Sequence, residues 1–344
     1  MSQDRGHYTP QQLHAVYDRI NLPPRFRYEP GDFSREVVRH HDGHGFLGAL
    51  VTHMLAHIPF ENLSLHYSPT HAVSIHPDAL FQKFIRQDMG RGGYCLENNV
   101  FLGTVMRSLG FDVMSVGARI NRMGKGFIGN EAGKVQYGGW SHIVNLVTIR
   151  GDVFVVDVGF GPGGPARPMA LIDGAIEFNM PPSQREVIRL RRDAIDDNDH
   201  KSVKLWIFER RNDNDAPWTP MYCFEDNVCF LPQDFEVMNY FTSTHRTSVY
   251  TYRSGETAVR WIATTANLCR SPALARTASA RQTATTTRCT DRQQRSRHHS
   301  PVRSRARDPP HHEDLAVNAL GSSNEIKVSL KRIQPRPLAS GQSC

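Results

Sequence analysis

The chain has 344 residues, 39% hydrophobic and 22% charged, with 41 Lys+Arg against 34 Asp+Glu and a formal charge of +7. That balance excludes a wholly disordered, collagen-like or coiled-coil chain, and the length fits two or three domains. The charge is uneven: residues 251–344 hold 16 Lys+Arg and 6 Asp+Glu, net +10, whereas residues 1–250 hold 25 and 28, net −3.

In chain order, QQLHAVYDRINLPP (11–24) reads as a short helix stopped by a Pro pair. Residues 26–60 mix short apolar patches with His, Gly and Asp, and PFENLSL (59–65) reads as an extended or turning connection. Pro77-Asp78 opens a second helix over 77–89. After Gly90–Gly93, CLENNVFLGTVMRSLG reads as a helix that Gly110 stops. The period then changes. Phe111–Ile120, His142–Ile149 and Val153–Asp157 read as strands, with a glycine-rich loop over 124–139. Strand patterning continues over 186–209, and FLPQDFEVMNYFTSTHRTSVY is the last coherent run. Beyond about 262 the text is Arg/Ser/Thr-rich and cannot supply a core, apart from the strand-like EIKVSLKRI. Helices first and strands second predict an α+β protein.

The sharpest chemical signal is GRGGYCLENN. Its two glycines permit a tight approach, and Cys95 falls at the start of a helix, where unpaired N–H groups and the helix dipole favour a thiolate. A buried structural cysteine is the plain alternative. His142 and Asp157 lie in a predicted hairpin whose two-residue loop is Arg150-Gly151. Ile149 then faces Asp152, and His142 and Asp157 become diagonal neighbours on one sheet face, about 7–8 Å apart along the backbone. A carboxylate there can fix the histidine tautomer, and the histidine can deprotonate Cys95 if the helix end packs on that face. A surface hydrogen bond between His142 and Asp157 is the competing reading.

IPFENL (58–63), RGGYCLENN (91–99), GARI (117–120), SHIVNLV (141–147), VDVGFG (156–161) and DFEVMNYFTSTH (234–245) occur in one order over the first 250 residues. Together they make the chain resemble the arylamine N-acetyltransferase family, particularly its eukaryotic, fungal-looking branch. The resemblance implies that Cys95 is the acyl-accepting nucleophile, His142 its base and Asp157 the group that orients the histidine. It also implies a structural ion pair between Glu61 and Arg91, and an acceptor pocket lined by Phe160. GFGPGGPARP, with Gly159, Gly161, Gly163 and Gly164, would be the loop near the acyl-CoA phosphates, and Ser243 and Thr244 would lie near the CoA cleft. No Walker pattern is present. The implied reaction moves an acetyl or other short acyl group from acyl-CoA to an arylamine, arylhydrazine or hydroxylamine nitrogen by a ping-pong route. No permanently bound cofactor is implied.

The family fold implies an N-terminal helical bundle over 1–110, a middle β-barrel over 111–210 and a third α/β lid domain. Here the lid covers only 211–262 and is incomplete or divergent; 263–344 is a basic low-complexity tail. A cysteine hydrolase or transglutaminase-like enzyme is the rival reading, since Cys, His and Asp serve amide chemistry equally well. Nucleic-acid binding through the tail is a weaker one, because no helix-turn-helix, zinc finger or aromatic RNP motif accompanies it. The His40–His44 and His66–His76 groups lack a metal-binding pattern, and Cys223 and Cys229 read as ordinary thiols. With no signal-peptide pattern, no long apolar run and six dispersed cysteines, the expected setting is the reducing cytoplasm, with a monomer as the default. Preferred acyl-CoA and acceptor are not legible.

Overall fold

A computed structural model describes residues 5–29, 43–87, 90–123, 135–179, 186–212, 216–252 and 256–257. These belong to one compact unit spanning Met1–Thr283. The segments 124–134 and 263–344, including EIKVSLKRI, lie outside the described residues.

Helix α1 (Pro10–Arg19) begins at a capping box: the Gln12 N–H donates to Thr9 Oγ1, and the Thr9 N–H to Gln12 Oε1. It ends sooner than its apolar pattern predicts, because Asn21 takes a left-handed φ of 50° before the Pro pair. Helix α2 (Gly43–His57) fills the stretch that reads only as apolar patches. Leu47, Leu50, Val51 and Met54 do keep an i, i+3, i+4, i+7 period, but interspersed Gly and His blur it. After the two-residue strand β1 (Phe60–Glu61) come α3 (Leu63–Tyr67) and α4 (Pro77–Phe81), the latter continuing into a π-helical turn at Gln82–Arg86. Helix α5 (Cys95–Ser108) is buried along most of its length and ends where Gly110 adopts φ +91°.

The strands are β2 (Asp112–Asn121), β3 (Tyr137–Ile149), β4 (Asp152–Val156), β5 (Met169–Ala170), β6 (Ile176–Phe178), β7 (Val187–Asp193), β8 (Leu205–Arg211) and β9 (Thr219–Phe224). They form one antiparallel sheet in the order β5-β4-β3-β2-β9-β8-β7-β6. The hydrogen-bonded ladder is a row with β5 and β6 at its ends. Side chains bridge those edges, because Ala166 N–H donates to Asn179 Oδ1 (2.7 Å) and Ala170 N–H to Glu177 Oε1 (3.4 Å). The result is a near-barrel. Helices α6 (Pro232–Thr244) and α7 (Val249–Tyr252) follow, and β10 (Glu256–Thr257) pairs antiparallel with β1.

Helix α5 joins the layers. Its Phe101, Leu102 and Val105 pack among Leu13, Phe46, Leu50 and Phe84 of the helices. Cys95 and Leu96 belong to a second cluster with Val116, Val144 and Tyr222 of the sheet. Each such Leu, Phe or Val contributes roughly 1.5–3 kcal/mol by leaving water. Two cores therefore fix one helix from both sides, and that helix carries the thiol.

Candidate active site

The segment before α5 is pulled tight by close backbone approaches. A Cβ at Gly92 would lie 2.0 Å from the Pro59 carbonyl oxygen, and one at Gly93 would lie 2.5 Å from the Glu97 side chain. Only glycine lets these strands of chain touch, so Cys95 enters the helix at a fixed point. The Tyr94 N–H donates to Glu97 Oε2 at 3.1 Å, closing one open donor of the helix start.

Beneath this turn sits a buried charge cluster. Arg91 Nε meets Glu61 Oε1 at 3.0 Å, and Lys83 Nζ lies 2.8 Å from Glu97 Oε1 and 3.5 Å from Glu61 Oε1. Both carboxylates are 1% exposed, so each needs its cation. Burial pushes the Glu97 carboxyl up to about 7, against the opposing pull of Lys83 and the Tyr94 N–H. The structure thus pairs Glu61 with Arg91, and adds Lys83 and Glu97 to them.

The hairpin supplies the imidazole and the carboxylate. Arg150 and Gly151 take φ of 56° and 86°, the primed-turn geometry that sets Ile149 opposite Asp152. The expected register holds as far as Asn145 opposite Val156 and then stops. Strand β3 begins at Tyr137, so His142 lies within the strand and pairs with Ala118 of β2, beside a bulge. Asp157 lies one residue past β4, where the chain turns toward α5. His142 and Asp157 are therefore not diagonal neighbours within one ladder, yet His142 Nε2 meets Asp157 Oδ2 at 2.7 Å. Both side chains are 1% exposed or less.

Asn99, one turn along α5 from Cys95, holds that carboxylate in place. Its Nδ2 donates to Asp157 Oδ1 (2.8 Å) and to the Ile143 carbonyl (2.7 Å), while its Oδ1 accepts from the Val158 N–H (3.0 Å). The Gly159 N–H also donates to Asp157 Oδ1 at 2.8 Å. The sequence reading missed Asn99; its i+4 spacing from Cys95 was the available signal.

The Cys95 thiol donates weakly to the carbonyl of Ser141, the residue before His142, at 3.6 Å, and Cys95 and His142 line one cavity. Burial disfavours the charged imidazole; Asp157 and Cys95 outweigh it and raise His142 to about 10. Phe160 and Tyr222 enclose the ring, with centroids at 5.6 and 5.3 Å.

These groups open on a cavity of about 1070 Å³, lined by Cys95, His142, Gly159, Phe160, Arg122 and Tyr250 among others, including residues of α6 and α7. Of the expected site residues, Cys95, His142, Asp157, Phe160 and Gly159 come together. Gly161, Gly163, Gly164, Ser243 and Thr244 do not line this cavity. Gly161 and Gly163 take left-handed φ of 82° and 95° in a tight loop. Ser243 and Thr244 hydroxyls bond the Tyr240 carbonyl of their own helix at 3.4 and 2.5 Å. No group of three or more potential metal ligands occurs among the described residues. His66 and His71 ring nitrogens contact backbone carbonyls instead. No helix among the described residues is long and apolar enough to cross a membrane.

A thiol at a helix start, an imidazole beside it and a buried carboxylate behind that define the class of thiol-centred acyl-transfer and hydrolytic sites. Comparison with known proteins narrows the class. A family model described as N-acetyltransferase matches residues 45–295, running past residue 262 into the basic stretch. N-malonyltransferase FDB2 of Gibberella moniliformis is 34% identical over 264 residues, covering 72% of this chain and 73% of that protein. Its counterpart from Fusarium pseudograminearum is 36% identical over 255 residues, covering 71% and 72%. The solved Mycobacterium marinum arylamine N-acetyltransferase in complex with CoA is 25% identical with a TM-score of 0.52, covering 70% of this chain and 74% of that one. The chain belongs to the arylamine N-acetyltransferase family of acyltransferases.

Proposed function

We propose that this protein carries a short acyl group from acyl-CoA to the nitrogen of an arylamine, arylhydrazine or hydroxylamine through a thioester on Cys95. The observation that carries this reading is the buried His142–Asp157 contact on the same wall of a large cavity as Cys95. In the first half-reaction the Cys95 thiolate attacks the thioester carbonyl, and CoA leaves with the proton of the His142 imidazolium. In the second, the amine attacks acyl-Cys95, the now neutral His142 takes the amine proton, and the Cys95 thiolate departs. Asp157 keeps Nε2 occupied, so the proton moves at the other ring nitrogen. An aromatic amine is neutral near pH 7 and can attack without first losing a proton.

Glu61 and Arg91 have a structural part in this reading, holding the turn before Cys95. Residues 1–110 supply the nucleophile and 111–210 the histidine and aspartate. Helices α6 and α7, within 211–262, wall the cavity. The loop with Gly159, Gly161, Gly163 and Gly164 is proposed to meet acyl-CoA phosphates by backbone N–H groups, with Ser243 and Thr244 as more distant CoA contacts. The proposed setting is the cytoplasm, with aromatic amines of xenobiotic or metabolic origin as acceptors and the protein acting as a monomer.

Malonyl-CoA is a second donor reading. The two fungal relatives named N-malonyltransferase favour it, and Arg122 places a cation on the cavity wall for a free carboxylate. A matrix of acetyl-, propionyl- and malonyl-CoA against 4-methoxyaniline, phenylhydrazine and an aryl hydroxylamine tests both. Transfer in at least one cell, absent from Cys95→Ala, is the expected result; hydrolysis of acyl-CoA without any N-acylated product would sink the transferase reading.

A further inference from the structure

Resting on the thioester reading above, we infer that the Tyr250 hydroxyl is a second catalytic donor to Cys95, stabilising the sulfur when it leaves the acyl group as an anion. Tyr250 stands on the short helix α7, and four neighbours fix it. Its ring meets Tyr94 edge-on at 5.2 Å and Phe60 at 6.3 Å. Its carbonyl accepts from Asn62 Nδ2 and His66 Nε2, each at 3.0 Å. Tyr94 immediately precedes Cys95, its ring packs on that of Tyr250, and Tyr250 and Cys95 line the same cavity, which sets the phenol beside the thiol. Burial, and then Cys95 itself, hold this phenol well above the usual tyrosine range. It therefore stays protonated and acts as a donor, never as a base.

The sulfur's neighbours change character along the reaction. As a thiol, Cys95 donates to the Ser141 carbonyl; as a thiolate it can only accept, and that carbonyl becomes a poor neighbour. His142 and Tyr250 are then its two donors. During transfer to the amine, the new N–C bond forms as the C–S bond breaks. The C–S electron pair goes to sulfur, and the amine proton goes to His142. With His142 occupied by that incoming proton, Tyr250 is the donor that can meet the growing sulfur charge throughout the step. In the acylation half-reaction the same bond acts on the ground state. Its loss makes the thiolate scarcer but more nucleophilic, and the two effects offset each other.

Tyr250→Phe keeps the ring and removes only the hydroxyl. With acetyl-CoA alone, CoA release measures acylation; 4-methoxyaniline added to the isolated acyl-enzyme measures transfer. The expected result is acylation within about threefold of the unsubstituted protein and transfer slowed about 10–100-fold, so that acyl-Cys95 accumulates. Equal rates in both half-reactions would overturn the inference. So would an equal fall in both accompanied by a lower Tm, which marks a structural role. If the unsubstituted protein forms no acyl-Cys95, the thioester reading fails and this inference fails with it.

Discussion

Asp157→Asn should lower acyl transfer by about 10⁴-fold, the order of loss seen when the orienting carboxylate of a catalytic triad becomes an amide. The measurement is kcat/KM with acyl-CoA and an arylamine. The cause lies in the 2.7 Å contact between Asp157 Oδ2 and His142 Nε2. An amide can present an N–H there, leaving Nε2 as acceptor and forcing the proton onto the nitrogen that must accept one from the amine. Asn99 and the Gly159 N–H already donate to Oδ1, so they hold the carbonyl end of an asparagine in place and direct its NH₂ at the ring. The same substitution changes stability with pH. Burial opposes the imidazolium, yet Asp157 and Cys95 hold His142 up to about 10, above its ordinary 6.5. A group raised on folding stabilises fully below its unfolded pKa, and that stability is lost as pH rises through the folded value. The Tm difference between the unsubstituted protein and Asp157→Asn should therefore be largest near pH 6 and shrink toward pH 10. Comparing the two proteins cancels the buried tyrosines, which both share.

Gly159→Ala should cost about 1–3 kcal/mol of stability and lower activity about 100-fold or more, read by denaturant unfolding and by kcat/KM. A Cβ at Gly159 would lie 2.6 Å from the Cys95 carbonyl oxygen, 2.6 Å from Asn99 Nδ2 and 2.9 Å from Cys95 Cα. Two of these three are backbone atoms of α5 and cannot swing aside. Relief requires moving the start of α5 away from the chain after Asp157, which separates Cys95 from His142 and strips Asp157 of Asn99. Gly92 grips the opposite side of the same turn against Pro59. Gly159 of VDVGF thus packs directly against Cys95 of RGGYC. Both motifs are visible in the sequence; that they touch is not.

That contrast marks where the sequence is legible. The hairpin over 145–156 follows from Arg150-Gly151 and its Val- and Ile-rich strands, because turn geometry fixes register locally. Helix α5 follows from its apolar spacing and the Gly110 stop. What escaped depends on long-range packing. Helix α2 is buried with Gly48 and histidines in its length, so its apolar stripe is broken even though its core positions keep helical spacing. The sheet reads as a barrel from its strands, but closure depends on how β5 and β6 meet, and among the described residues the Asn179 and Glu177 side chains bridge them. Asn99 is indistinguishable from the neighbouring Asn98 until the fold turns one of them toward Asp157. Tyr250 reaches Cys95 across 155 positions of chain, and no periodicity reports such a contact.

The central claim is that Cys95 takes the acyl group before any amine arrives. Intact-protein and peptide mass spectrometry after incubation with acetyl- or malonyl-CoA alone tests it most directly. The prediction is a mass gain of one acyl group on the peptide carrying Cys95. It should be absent in Cys95→Ala and discharged by an arylamine, with the acyl group recovered on the amine nitrogen. A folded protein that stays unmodified with each acyl-CoA, or that carries the label on another residue, would contradict the account.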